Sequence, residues 1–198
     1  MEVFNIGTIN VLLSDEEGVF DAIANSGGSI VLNLTGDSHF GIMPDILSKH
    51  SMFQFEEIVL KWPDGGFPCM TAEFWTELIK YVGDSGYTNL IIHCRAGHGR
   101  TGTAAACLLM AGHKFTPAEA VEKLRADYCE DVVETSIQVN YLGWVAEKLG
   151  IENDSQEIIP SYHTKHNSLG AIQNHISAAS PPEKTEDNPV NFDWDSWI

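Results

Sequence analysis

Basic charge is scarce in this chain: 11 Lys and Arg stand against 28 Asp and Glu over 198 residues, a formal net charge of −17. The deficit is −11 over residues 1–150, where 9 basic side chains meet 20 acidic ones, and −6 over the remainder, where 2 meet 8. Such a surface repels nucleic acid and anionic membranes at long range, so neither is expected as a partner. Long apolar runs are missing too. The longest, near residues 103–111, falls far short of a membrane span, and Met1-Glu2-Val3-Phe4 offers no basic start before an apolar stretch. A soluble, cytoplasmic protein is expected, and a monomer. Four cysteines at 69, 94, 107 and 129 lack the paired spacing of a metal site, and the eight histidines form no recognisable ligand set. His163 and His166, three apart in a polar segment, are expected to face solvent. No metal or other cofactor is expected, and no internal repeat is visible.

What remains is ample for a core, since 43% of the residues are hydrophobic. The apolar runs alternate between strand and helix periods, which predicts an α/β fold: one domain over residues 1–150 with a central mixed sheet flanked by helices. Residues 3–13 read as one or two strands, and Ser14-Asp15-Glu16-Glu17 as the cap of a helix ending at Gly27-Gly28. Ile30–Leu34 and Phe53–Leu60 read as further strands. Met70, Phe74, Leu78 and Val82 recur every four positions and predict a helix before a central strand at 89–93. Thr116-Pro117-Ala118-Glu119 and Thr135-Ser136-Ile137-Gln138 are capping boxes that begin two more helices. From Ile151 the periodicity fails, which predicts an acidic, disordered tail over 151–198. Its end, Asn191 to Ile198, interleaves aromatics with acids, as a short peptide that docks on a protein partner does, or as a solvated end with incidental aromatics does.

The most informative segment is His93-Cys94-Arg95-Ala96-Gly97-His98-Gly99-Arg100-Thr101-Gly102, entered by Leu90-Ile91-Ile92 and left by an Ala- and Leu-rich run. It reads as buried strand, tight loop and helix start. Backbone amides at a helix N-terminus favour a phosphate, and glycines at 97 and 99 are expected to take positive φ and let the main chain approach its oxygens. Arg100, six positions after Cys94, is placed to bind two phosphate oxygens with its planar fork. The same field favours the thiolate of Cys94, a nucleophile able to take the phosphoryl group and split hydrolysis into two displacements. Residues Arg95, Ala96, Gly97, His98, Gly99 and Arg100 are thus the expected substrate cradle, with His93 holding the loop and the His98 side chain a spectator in solvent. Thr101 is expected to donate a hydrogen bond to the departing thiolate.

A leaving alkoxide or phenoxide needs a proton from elsewhere. Trp62-Pro63-Asp64-Gly65-Gly66-Phe67-Pro68 offers Asp64, although Pro-Asp-Gly by itself reads first as an ordinary turn. Together the two segments resemble the cysteine-dependent protein tyrosine phosphatase superfamily, in its compact dual-specificity form, over residues 62–102 and more loosely over 3–149. The spacing agrees, with Asp64 thirty residues before Cys94. The resemblance implies Cys94 as nucleophile, Arg100 as phosphate binder, Asp64 as general acid and later base, and Thr101 as assistant. It also implies a residue that orients the hydrolytic water; Gln138 is in range, but its capping box is the preferred reading there.

A phosphorylated protein is the substrate this resemblance implies, at phosphotyrosine and at phosphoserine or phosphothreonine, because a core of about 150 residues leaves little room for a deep phosphotyrosine pocket. The first alternative is an inositol phosphate or phosphoinositide, favoured by the added charge of Arg95 and His98. A 5′-phosphorylated RNA is disfavoured by the acidic surface. A phosphate-binding adaptor without turnover is the alternative from another class, and the joint presence of Cys94, Arg100 and Asp64 speaks against it.

Overall fold

The computed structural model describes residues 2–36 and 55–162, and in it the apolar runs become five strands: β1 (Glu2–Ile6), β2 (Ile9–Ser14), β3 (Ser29–Asn33), β4 (Phe55–Val59) and β5 (Asn89–His93). The helices are α1 (Val19–Ser26), α2 (Ala72–Ser85), α3 (Gly99–His113), α4 (Pro117–Asp127) and α5 (Ser136–Lys148), followed by a short 3₁₀ turn at Ser155–Glu157. Strand order is β1-β2-β5-β3-β4, with β1 antiparallel to β2 and every other pair parallel. The expected α/β fold with a central mixed sheet is thus the observed one. β5 lies in the middle, hydrogen-bonded on both edges, so the loop that follows it rises from the centre of the sheet, where open α/β sheets bind ligands.

The period-2 pattern of the inner strands sorts their side chains between two cores. Leu90 and Ile92, with Val11, Leu13, Ile30 and Leu32, face the larger core under α2 to α5; Ile91, Leu12 and Val31 face Val19 and Ile23 of α1. Both faces of the sheet are covered, which explains the unbroken apolar run of β5. α3 runs through the larger core and is buried from Gly99 to Ala111, so its small residues Ala104, Ala105 and Ala106 admit close neighbours on all sides. No described helix is long and apolar enough to cross a membrane.

Two capping boxes form as read: Thr116 with Glu119 at α4, with Pro117 at the first helical position, and Thr135 with Gln138 at α5. The third expected cap does not. α1 begins only at Val19, with Gly18 at its N-cap and no side-chain cap, while the Asp15 carboxylate accepts a hydrogen bond from the Gly18 amide at 2.7 Å. Ser14 is taken by the sheet, where it pairs with His93, and the Glu16 amide is taken by the Arg95 carbonyl. The strand at Phe53–Leu60 is Phe55–Val59 among the described residues; Phe53 lies outside them.

The tail expected from Ile151 is a second correction. Residues 151–162 pack on the domain: Ile158 enters the core, Asp154 accepts from the Ala118 amide at 2.9 Å, and the amides of Ser161 and Tyr162 donate to the carbonyls of Val133 and Glu134. Pairing of these backbone groups replaces the periodicity whose absence suggested disorder. The remainder of the tail, including His163, His166 and the segment from Asn191 to Ile198, lies outside the described residues.

Candidate active site

Cys94 follows directly on β5 and is buried, with its Sγ accepting a hydrogen bond from the Gly97 amide at 3.3 Å. Gly97 has φ of +80°, and a Cβ there would approach the Tyr128 hydroxyl to 2.8 Å and the backbone of Ser14 and Asp15 to 3.2 Å. Only glycine satisfies both conditions. Gly99 does not share the expected positive φ; it is the first residue of α3. Its glycine is required by space, because a Cβ would collide with the Glu134 carboxylate and lie 2.9 Å from Gln138 Nε2. The positive end of α3 therefore abuts the loop that carries Cys94.

Arg100, in the first turn of α3, folds back over the site. One terminal nitrogen donates to the carbonyls of Leu34 and Trp62 at 3.3 and 3.2 Å, and the other lies 3.0 Å from Asp64 Oδ1. Its Nε is buried with no partner among the described residues. The hydroxyl of Thr101 is likewise buried and unpartnered among them. Both are polar groups held out of water next to the loop, a state that favours a ligand able to pair with them. His93 is fully buried at the end of β5, consistent with a part in holding the loop.

Asp64 sits in a turn closed by the Gly66 amide donating to the Pro63 carbonyl at 3.0 Å, with Gly65 at φ of +66°. The segment is thus the turn that Pro-Asp-Gly predicts, and it brings Asp64 to 3.0 Å from Arg100. Trp62 anchors the turn from below: it is 2% exposed, and its indole N–H donates to the Gly66 carbonyl at 2.9 Å. Thr135, the N-cap of α5, adds a bond from its hydroxyl to the Gly65 carbonyl at 2.7 Å. A cavity of about 330 Å³ opens between these elements, lined by Lys61, Trp62, Asp64, Arg95 and Arg100 with Glu16 and Thr35.

The remaining loop side chains diverge. Arg95 is exposed on the cavity wall, 3.8 Å from Glu16, and Ala96 is exposed. His98 is half-buried and does not face solvent as a spectator: its Nδ1 lies 3.2 Å from Cys129 Sγ. Gln138 forms the helix cap that was the preferred reading for it. Its Oε1 accepts from the amides of Glu134 and Thr135 at 2.8 and 3.3 Å, and its Nε2 is buried and unpartnered among the described residues, facing Gly99. Cys69 is exposed, while Cys107 is fully buried within α3, where desolvation pushes its thiol up.

Sequence reading missed Tyr128, Cys129 and Lys61. Tyr128 donates its hydroxyl to the Gly97 carbonyl at 2.9 Å, bracing the loop from the far side. Burial pushes its phenol up, and the neighbouring Cys129, Cys94 and Asp15 push in the same direction. No spacing rule signals this pair, because thirty-one residues and two whole helices, α3 and α4, separate Tyr128 from Gly97.

Fold and loop together define a phosphatase-like α/β domain built on Cys94 and Arg100. Residues 70–141 match a family described as "PTP-SAK: Swiss Army Knife protein, DSP-PTPase phosphatase domain". The chain is 33% identical over 118 residues to Cyclin-dependent kinase inhibitor 3 of Rattus norvegicus, covering 58% of this chain and 55% of that protein. It is 35% identical over 71 residues to Dual specificity protein phosphatase CDC14AB of Danio rerio, covering 36% and 11%. Among solved structures, Tk-PTP shares the fold with a TM-score of 0.54 and 23% identity, over 74% of this chain and 95% of that one. Over residues 70–141 the chain is thus similar to the cysteine-based protein tyrosine and dual-specificity phosphatase superfamily. It spans at most about half the length of these two curated relatives.

Proposed function

We propose that this chain hydrolyses phosphomonoesters of proteins through a phosphocysteine intermediate, with phosphotyrosine and phosphoserine or phosphothreonine as substrates. The observation that carries the reading is the meeting of Arg100 and Asp64 at one cavity, next to a loop in which the buried Cys94 thiol accepts from the Gly97 amide at 3.3 Å. In the first step the Cys94 thiolate attacks phosphorus and the ester oxygen leaves with a proton from Asp64. In the second, water attacks phosphorus while Asp64 takes its proton, the P–S bond breaks to restore the Cys94 thiolate, and inorganic phosphate is released. Arg100 and the loop amides hold the three equatorial oxygens, where charge spreads in a loose transition state. Thr101 is a positioning hydroxyl for the departing thiolate, and Gln138 Nε2 a donor for the incoming water. No metal takes part in either step.

A second reading keeps this chemistry for inositol phosphates or phosphoinositides. Lys61 and Arg95 on the cavity wall favour it, since they add positive charge around a second phosphate. His98, turned toward Cys129, does not contribute. The test is phosphate release from matched phosphotyrosine, phosphothreonine and inositol phosphate substrates, with Cys94→Ser as control. Turnover that depends on Cys94 and prefers the phosphopeptides supports the protein reading. Preference for inositol phosphate that collapses in Arg95→Ala supports the second, and tight binding without release from any substrate leaves only an adaptor.

A further inference from the structure

One potential ligand atom from each of His98, Cys129 and Asp131 lies within 4.8 Å of the other two. His98 belongs to the loop under the candidate site, whereas Cys129 and Asp131 belong to the connection between α4 and α5. We propose that these three residues form a binding site for a divalent transition metal ion of the zinc type, at the rim of the phosphate loop and separate from the catalytic chemistry.

The donor set fits that class of ion. An imidazole nitrogen, a thiolate and a carboxylate match zinc and disfavour magnesium and calcium, which take oxygen ligands. His98 Nδ1 and Cys129 Sγ are 3.2 Å apart. From metal–sulfur and metal–nitrogen bonds of about 2.3 and 2.0–2.1 Å, the edge of a tetrahedral site would be about 3.6 Å, so a small rotation of either side chain seats the ion. Thiolate and carboxylate together balance its double charge, the Cys129 proton passing to solvent on binding. A fourth position is left for water. All three side chains are half-buried, which leaves the ion a path from solvent.

The site is built before any ion arrives. The Cys129 amide donates to the Leu124 carbonyl at 3.1 Å, the Val132 amide to the Cys129 carbonyl at 3.3 Å, and the Asp131 amide to Cys129 Sγ at 3.4 Å, which together set the turn that carries two of the ligands. Tyr128 ties this turn to the phosphate loop through the Gly97 carbonyl. Val132 seats against Gly102 so closely that a Cβ there would lie 2.5 Å from Val132 Cβ. The two halves of the site are thus held together by contacts that involve none of the three ligating atoms. The strongly acidic surface raises the local concentration of cations around it.

The experiment is a titration of the full-length Cys94→Ser protein with Co²⁺ alone, read by visible absorption, followed by displacement with Zn²⁺. The serine removes the competing thiol, and the readout needs no turnover, so the result stands apart from the proposed enzymatic reaction. Expected is one equivalent of Co²⁺ with thiolate-to-metal charge transfer and tetrahedral d–d bands, all displaced by Zn²⁺. The charge-transfer band should vanish on Cys129→Ser, persist on Cys69→Ser, and require at least tenfold more Co²⁺ on His98→Asn or Asp131→Asn. Absence of a thiolate band, its survival in Cys129→Ser, or unchanged affinity in both His98→Asn and Asp131→Asn overturns the proposal. Circular dichroism of each variant identifies any that fails to fold, and the remaining variants then decide.

Discussion

Asp64 Oδ1 lies 3.0 Å from Nη2 of Arg100, so the side chain proposed to give the proton and the one proposed to grip the phosphate are each other's partner in the unliganded site. The pair is unequal: the Arg100 side chain is 9% exposed and that of Asp64 86%. An ion pair with one member in solvent is worth less than about 1 kcal/mol, and an arriving phosphate dianion exchanges it easily. Arg100 is also held by the Leu34 and Trp62 carbonyls, so in the proposed reaction loss of the Asp64 contact leaves the guanidinium oriented and Asp64 free to meet the leaving group.

Asp64→Asn should therefore leave thermal stability nearly unchanged and act on chemistry. With poor leaving groups, which need the proton, turnover is expected to fall by about 10²–10⁴-fold. Aryl phosphates with good leaving groups should lose much less in the first step. A graded series of aryl phosphates measures this, and equal losses across the series remove Asp64 from the acid role.

Glycine substitutions within helices should differ in sign. A methyl at Gly102 meets Val132 Cβ at 2.5 Å, in the packed contact between α3 and the turn after α4, so Gly102→Ala should cost about 1–3 kcal/mol through overpacking. Gly83 is inside α2 with nothing within 4 Å of a new Cβ; Gly83→Ala should stabilise by about 0.5–1 kcal/mol. Paired denaturant melts check both, and stabilisation by Gly102→Ala contradicts the packing described.

Tyr128 makes alkaline stability a report on the loop. Because burial raises its pKa above the ordinary phenol value of 10.0, the neutral phenol stabilises the fold fully below pH 10, and that contribution is lost as pH climbs beyond it. Tyr128→Phe removes the bond to Gly97 and should cost about 1 kcal/mol at neutral pH. It should also flatten the decline above pH 10, relative to a parent that retains the raised phenol of Tyr141 in common with it. Urea melts at pH 7, 10 and 11 resolve the two effects; parallel curves for the two proteins exclude Tyr128 as their source.

Ile158 tests whether the segment after α5 belongs to the domain. It is 8% exposed and part of the larger core, so Ile158→Ala should destabilise by about 2 kcal/mol or more. A change below about 0.5 kcal/mol, the range of surface substitutions, would return residues 151–162 to the status of a tail.

Much of this was legible in the order of residues. The apolar run at 90–92 between turn signals marked a strand buried on both faces, and Thr116 and Thr135 announced their helices by bonds made within one turn. The Ser14 cap failed because parallel pairing with β5 claimed that residue first, a competitor that lies seventy-nine positions away along the chain. Residues 151–162 were misjudged because backbone pairing to Val133 and Glu134 leaves no periodic pattern.

The sequence by itself determined the α/β class, the strand–loop–helix that carries Cys94 and Arg100, and the turn at Asp64, since each depends on neighbours a few residues apart and on side-chain chemistry. Tertiary structure alone decided that Asp64 meets Arg100, that Gln138 turns its amide to Gly99, and that Tyr128, Cys129 and Asp131 close around the loop at Gly97 and His98. Those meetings are set by how α4 and α5 pack on α3, and packing depends on the fit of whole surfaces, which no local pattern encodes.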